Sequence, residues 1–365
     1  MKILHIIPSF HGGGAEKFCI DLCNELSKEH DVTICSLFPV TEEMFMAKAL
    51  DSRIRVVILN KKPGLDISIF FKLFNLIRDG NFDIVNTHLR ALAYSSLAIA
   101  FTKTKFFHTV HNMADKEMSP KIRILYNLLF RFMNVKPIGI SKQVMQSIQR
   151  EYGIQFNVLI ENGVKQPVVS SALENVRKEI ESYKKTSGTK VFLAIGRITV
   201  QKNHIMLVEV YNQLIEEGED VVLLIIGDDP VAGKPLLHQL GQMAKRDIYF
   251  LGMKQNIADY LICSDAFCLS SLYEGLPIAL LEAMSLGIIP ICTPAGGIVD
   301  VIIDGENGWL SKDFSKDAFY KAIKKYLYAD EATKSKVSFN SKQTYDEKYS
   351  IVQTSKNYMN IYRSI

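Results

Sequence analysis

No apolar run in this 365-residue chain approaches the roughly 18 residues that a membrane-spanning helix needs. The opening MKILHIIPSF carries only Lys2 as a positive region and breaks at Pro8, so it does not read as a secretory signal. The six cysteines (Cys19, Cys23, Cys35, Cys263, Cys268 and Cys292) form no CxxC pair and have no histidine at metal-like spacing. They read as buried, reduced thiols. A strong charge of one sign is also lacking: 43 Lys+Arg against 39 Asp+Glu leaves a net +4, far from the dense basic footprint of a nucleic-acid binder. There is no low-complexity tract and no short-period repeat. These absences lead to the expectation of a cytoplasmic globular protein that is still able to rest on a membrane surface.

What is present is ordinary in composition and regular in pattern. With 48% hydrophobic and 22% charged residues, the chain has material for large cores, and its length implies two to three domains. Short β-branched runs alternate with stretches of helical periodicity, the signature of parallel sheets with crossover helices. The predicted strands of the first series are Lys2–Ile7, Val32–Phe38, Arg55–Asn60, Asp83–His88, Phe106–His111, Pro137–Ile140 and Val158–Glu161. The pattern lapses over residues 164–189, which read as a linker. It restarts with Val191–Ile195, Val221–Ile226, Ile248–Leu251, Ala266–Leu269, Ile289–Cys292 and Trp309–Ser311. The expected domains are therefore 1–165 and 186–349, with an amphipathic helix at about 350–365 packing back on the first. Residues 1–165 hold 21 Lys+Arg and 15 Asp+Glu, so the first half is the basic one.

Open parallel sheets bind ligands beyond the carboxyl ends of their strands. The informative residues are those just after strands. The first strand runs into Pro8-Ser9-Phe10-His11-Gly12-Gly13-Gly14-Ala15-Glu16, where glycines let backbone N–H groups approach a ligand closely. This is not GxGxxG, and the second strand ends in CSLFPV with no acid for a ribose, which disfavours a nicotinamide site. His88 and His111 both end strand runs, and His111 is the stronger candidate for meeting a sugar or phosphate. Strand alternation puts His108 out of phase with it.

In the second series, Arg197 and Lys202 flank a turn before a helix, an arrangement suited to a diphosphate. Within SSLYEGLPIALLEAM, Glu274 falls in the loop and Pro277 in the first helical turn, with Glu282 on an otherwise apolar helix. Carboxylates accept hydrogen bonds from vicinal hydroxyls, so this segment suits a polyhydroxyl ligand. A role as complement to the helix dipole would explain Glu274 but not Glu282. The turn Thr293-Pro294-Ala295-Gly296-Gly297-Ile298 adds a second glycine pair.

Taken together, GGGAE, the post-strand histidine, Asn162-Gly163-Val164, GR followed by QKN, GDDP at 227–230, EGLPIALLEA, TPAGGIVDVI and DGENGWL resemble the retaining glycosyltransferases of family 4. The resemblance covers most of the chain. It implies a GT-B fold, two Rossmann-like α/β domains with parallel sheets facing across a cleft, and transfer of a hexose from a UDP- or GDP-sugar to a lipid-linked or polysaccharide acceptor. It assigns the diphosphate to Arg197 and Lys202, the ribose to Glu282 and donor-sugar hydroxyls to Glu274. His111 would meet the sugar, and Gly13, Gly14, Gly275, Leu276, Pro277 and Ile278 would line the donor site. It also implies that no metal or other cofactor is needed, and the chain has no Asp-x-Asp. Lys165 after NGV and Asp229 within GDDP depart from the usual pattern.

Two rivals share the fold: a nucleotide-sugar epimerase and a non-catalytic glycan-binding relative. A glycoside hydrolase is disfavoured, since nothing marks two facing carboxylates. Residues 116–133 read either as a basic amphipathic helix lying in an anionic membrane interface or as a core helix with snorkelling cations.

Overall fold

The computed structural model describes residues 1–10, 13–40, 45–154, 158–229, 231 and 233–364; His11, Gly12 and Pro230 of the sequence motifs lie outside them. Its contacts divide the chain into two units, Met1–Lys165 with Tyr349–Ile365, and Gln166–Lys348.

The first unit holds β1 (Lys2–Ile7), β2 (Asp31–Ser36), β3 (Arg55–Ile58), β4 (Ile84–His88), β5 (Lys105–Val110), β6 (Lys136–Gly139) and β7 (Val158–Leu159). They form one parallel sheet in the order β3-β2-β1-β4-β5-β6-β7. Every one of these strands was expected from the sequence, β1 with both ends as found and the others with ends moved by at most two residues. β1, β4 and β5 are almost wholly buried because helices cover both faces, whereas the edge strand β3 is largely exposed.

The helix Ile351–Ser364 packs against the helix Gly14–Leu26, and its Tyr358 and Tyr362 hydroxyls reach Thr109 and Asn86 at 3.0 and 2.9 Å. The chain leaves this unit just after Val164 and returns to it at Tyr349; the Val164 N–H donates to the Tyr349 carbonyl, and its own carbonyl accepts from the Ile351 N–H. A side chain at Gly163 would strike the Ser350 carbonyl, so NGV is read structurally as the crossing point of the two chain segments.

The second unit holds β8 (Lys190–Ile195), β9 (Val221–Ile226), β10 (Ile248–Gly252), β11 (Ala266–Leu269), β12 (Ile289–Cys292) and β13 (Trp309–Leu310). Their parallel order is β10-β9-β8-β11-β12-β13. Phe192, Tyr211, Leu223, Ile225, Cys268, Ile291 and Trp309 belong to its core. The segment expected to be a linker instead contains the helix Leu173–Tyr183, with Val176 and Ile180 buried. Ser170 donates from its N–H and hydroxyl to the Asp259 carboxylate at 2.8 and 2.5 Å, and Tyr260 donates to Glu179 at 2.8 Å. Two apolar residues at helical spacing were hidden in a charged stretch, and the second unit consequently begins at Gln166 rather than at 186.

Candidate active site

In each sheet the strand order reverses once: between β1 and β4 in the first, and between β8 and β11 in the second. Loops leaving the two strands at such a point diverge and leave a crevice at the carboxyl edge. Most of the sequence-predicted residues follow the strands at these two places, and His111 follows β5, one strand further along the first sheet.

In the second unit, the turn after β8 carries Arg197 and a single 3-10 turn, Val200–Lys202, before the helix His204–Glu216 begins. The loop after β11 carries Glu274. Lys202 Nζ lies 2.6 Å from Glu274 Oε1, with 17% and 8% of the two side chains exposed. The two loops are laced together around this pair. Leu272 N–H donates to Gln201 O at 2.8 Å, Gln201 Nε2 to Tyr273 O at 2.9 Å, and Ser270 Oγ to Lys202 O at 2.8 Å. Arg197 is exposed and has no hydrogen-bond or ion-pair partner among the described residues. The two predicted diphosphate cations thus differ: one is already engaged by a carboxylate and the other is open to an incoming anion.

Glu274, Gly275, Leu276, Pro277 and Ile278 are all buried. Pro277 stands just before the helix Ile278–Ser285 rather than inside its first turn, with the extended ψ of 123° expected of a residue flanking a helix. The turn after β12 locks the loop in place: Gly297 N–H donates to Gly275 O at 2.8 Å, and Gly296, at φ +54°, lies so close to the Glu274 carbonyl that a Cβ would collide with it. Glu282 is buried on the same helix, in its second turn.

Asp229, the unusual residue of GDDP, is used locally. Its carboxylate accepts from the N–H groups of Val231, Leu236 and Leu237, and the first of these bonds is the main cause that holds its pKa below the usual carboxylate value. It therefore caps the helix Pro235–Met243.

In the first unit, Gly13 precedes the helix Gly14–Leu26 with extended backbone, and Gly14 opens it, just beyond the carboxyl end of β1. His111 follows β5 directly. The fold joins it to two histidines: His111 Nε2 is 2.9 Å from His88 Nδ1, and His88 Nε2 is 3.0 Å from His5 Nδ1. Burial lowers the pKa of His5 and of His111 to about 3 and that of His88 well below its ordinary value. His108 faces the other side of the sheet, hydrogen-bonded to Thr87 at 2.9 Å and edge-on to Tyr126.

Sequence reasoning missed Glu117, whose carboxylate accepts the backbone N–H of His111 at 3.3 Å and whose pKa burial pushes up to about 8. It also missed His5, which sits mid-strand; only lateral pairing reveals it.

The helix Pro120–Phe132 has two faces. Tyr126, Leu129 and Phe130 are buried, whereas Ile124, Leu128 and Phe132 are 67%, 51% and 74% exposed, four residues apart along one stripe. Of its cations, Arg123 pairs with Glu151 at 2.5 Å and Arg131 donates to Tyr152 O at 2.9 Å, while Lys121 stands exposed. No helix among the described residues is long and apolar enough to cross a membrane.

Residues 12–166 match the family model described as Glycosyltransferase Family 4, and residues 175–344 match that of Glycosyl transferases group 1. The UDP-Gal:alpha-D-GlcNAc-diphosphoundecaprenol alpha-1,3-galactosyltransferase of Escherichia coli is 26% identical over 71% of this chain and 70% of its own length. A Campylobacter jejuni alpha-1,4-N-acetyl-D-galactosaminyltransferase, acting on GalNAc-alpha-(1->4)-GalNAc-alpha-(1->3)-diNAcBac-PP-undecaprenol, is 24% identical over 94% of this chain and 93% of its own. Among solved structures, HepE of Anabaena in complex with UDP and glucose superposes with a TM-score of 0.86 at 18% identity over 100% of both chains. That likeness establishes the GT-B fold.

Proposed function

Because the chain belongs to the family 4 glycosyltransferases, we propose that it moves a hexose from a nucleotide-diphosphate sugar to a lipid-linked or polysaccharide acceptor in cell-surface glycan synthesis, with retention of anomeric configuration. The observation that carries this reading is the Lys202–Glu274 pair at the reversal point of the second sheet. An ammonium has three N–H donors, so Lys202 can hold Glu274 and still donate to a diphosphate oxygen. Arg197 in the same turn supplies a second cation. With these two charges offsetting the leaving group, the reaction is proposed to run without a metal.

In the reaction, the bond from the sugar anomeric carbon to the diphosphate oxygen breaks and a bond to the acceptor hydroxyl forms on the same face. The hydroxyl proton leaves with the diphosphate. Glu274 accepts from hydroxyls of the sugar and Glu282 from the ribose, while Gly13, Gly14 and the loop Gly275-Leu276-Pro277-Ile278 line the donor. His111 meets the donor sugar. Lipid-linked acceptors of relatives and the exposed stripe Ile124, Leu128 and Phe132 support a peripheral membrane location.

A thermal-shift screen over nucleotide-diphosphate sugars identifies the donor, since a ligand that binds the native state raises Tm by mass action. The labelled form of that donor is then offered with undecaprenyl-diphosphate glycans. Label in the glycan without added divalent metal is the expected result. Rearranged free nucleotide sugar would mean an epimerase, and binding without turnover a non-catalytic relative.

A further inference from the structure

His5, His88 and His111 lie on β1, on β4 and just after β5, 106 residues apart at the extremes. Register explains why they meet. His5 pairs laterally with Asn86, and His88 lies two residues further along β4; His88 pairs with Thr109, and His111 lies two residues beyond that. Each step moves one strand over and two residues toward the carboxyl edge, which keeps all three rings on one face. The result is a diagonal line of imidazoles with centroids 5.3 and 5.2 Å apart, running from the buried sheet interior to its functional edge.

A neutral imidazole carries one N–H and one lone pair, so each ring donates at one end of such a line and accepts at the other. Only two arrangements exist. In one, every N–H points toward the edge: His5 Nδ1–H donates to His88, His88 Nδ1–H donates to His111 Nε2, and His111 presents Nδ1–H outward. In the other, every N–H points inward, and His5 Nε2 becomes a donor. His5 is fully buried, and its Nε2 has no hydrogen-bond partner among the described residues. Its neighbours are the thiols of Cys19 and Cys23, which share a 4.8 Å cluster with a His5 ring nitrogen. Burial keeps the Cys19 thiol protonated, and a thiol is a weak acceptor. An unpaired buried N–H is costlier and rarer than an unpaired lone pair. The outward arrangement wins.

We propose that His88, itself oriented by His5, is a positioning residue that locks His111 in its Nδ1–H tautomer, so that His111 meets the donor sugar as a hydrogen-bond donor rather than as a base. This rests on the reading that His111 contacts the donor. The Glu117 carboxylate accepts the His111 backbone N–H and the Phe18 ring lies against its side chain, and neither competes for Nδ1 in the way a second ring would.

The test is ¹⁵N NMR of the full chain labelled at histidine, with signals assigned by single-histidine variants. His111 is expected as the Nδ1–H form. In His88→Leu it should become a mixture of tautomers, and in His88→Asn, whose amide can donate to Nε2, the Nδ1–H form should return. Transfer should follow: kcat down by about 10- to 100-fold in the Leu variant, short of the loss of a true acid–base group, with the donor KM nearly unchanged and partial recovery in the Asn variant. An Nε2–H tautomer in the unaltered protein overturns the proposal even if no variant folds, as does a tautomer indifferent to His88→Leu. If the tautomers behave as expected but His111→Ala leaves transfer intact, the lock stands and the reading of His111 as a donor contact falls.

Discussion

Lys202 and Glu274, 72 residues apart in sequence, stand 2.6 Å apart where the strand order of the second sheet reverses. Each charge is nearly enclosed by protein, so each depends on the other for its solvation. Breaking such a pair costs more than deleting it.

Glu274→Ala, which strands the ammonium, is therefore expected to lower unfolding free energy by about 3 kcal/mol, and Lys202→Ala by a similar amount. The double variant should be less destabilised than the sum of the singles, as chemical denaturation of all four proteins would reveal. Sugar transfer should be lost in each of the three variants, by more than 100-fold if both groups act on the transition state.

Gly296 sits at φ +54° against the Glu274 carbonyl. Gly296→Ala must adopt a conformation costing about 1–3 kcal/mol and push the Glu274 loop aside. Donor-induced stabilisation in thermal shift should shrink sharply while the circular dichroism spectrum stays native.

The pKa values of His5, His108 and His111 fall to about 3 and that of His204 to about 4 through burial, and His88 moves in the same direction. Below pH 6.5 the unfolded chain takes up protons that the folded chain refuses. Stability present above that pH is lost as pH falls toward 3, at about 1.4 kcal/mol per pH unit for each such histidine. Urea midpoints between pH 7.5 and 5 should drop steeply, and less steeply in His108→Gln.

Glu117 has the opposite sign. With its pKa raised to about 8 by burial, the folded chain keeps a proton that the unfolded chain releases above pH 4.5. Its contribution is whole below 4.5 and disappears as pH rises through 8. Glu117→Gln should raise Tm at pH 8 and flatten the alkaline side of the stability profile.

Serine in place of Ile124, Leu128 and Phe132 is expected to abolish sedimentation with anionic liposomes while leaving Tm unchanged, because these side chains contact water rather than core. Lys121→Glu should weaken binding more at low salt than at high. Arg123 and Arg131 are poorer choices, since both hold the helix to its own unit through Glu151 and the Tyr152 carbonyl.

Much of this molecule was readable along the chain. Apolar, often β-branched runs announced the central strands because a parallel strand covered on both faces must be continuously apolar, as VVLLII of β9 is. Functional turns showed because binding loops leave carboxyl ends, where glycine, proline and charge interrupt apolar runs. The helix Leu173–Tyr183 escaped since its two buried residues are outnumbered by charges, and a charged surface helix resembles a linker until its partner surface is known.

Sequence alone determined the residue types available at each strand end, and with them two parallel α/β units and the chemistry of sugar transfer. Tertiary structure decided which groups act together. That Lys202 meets Glu274 and that His5 supports His111 through His88 depend on lateral register between strands distant in sequence, whereas the Asp229 cap closes within eight residues of chain and shows only once the helix after it is placed. Register is set by how whole faces bury, a cooperative property that no local run of residues carries.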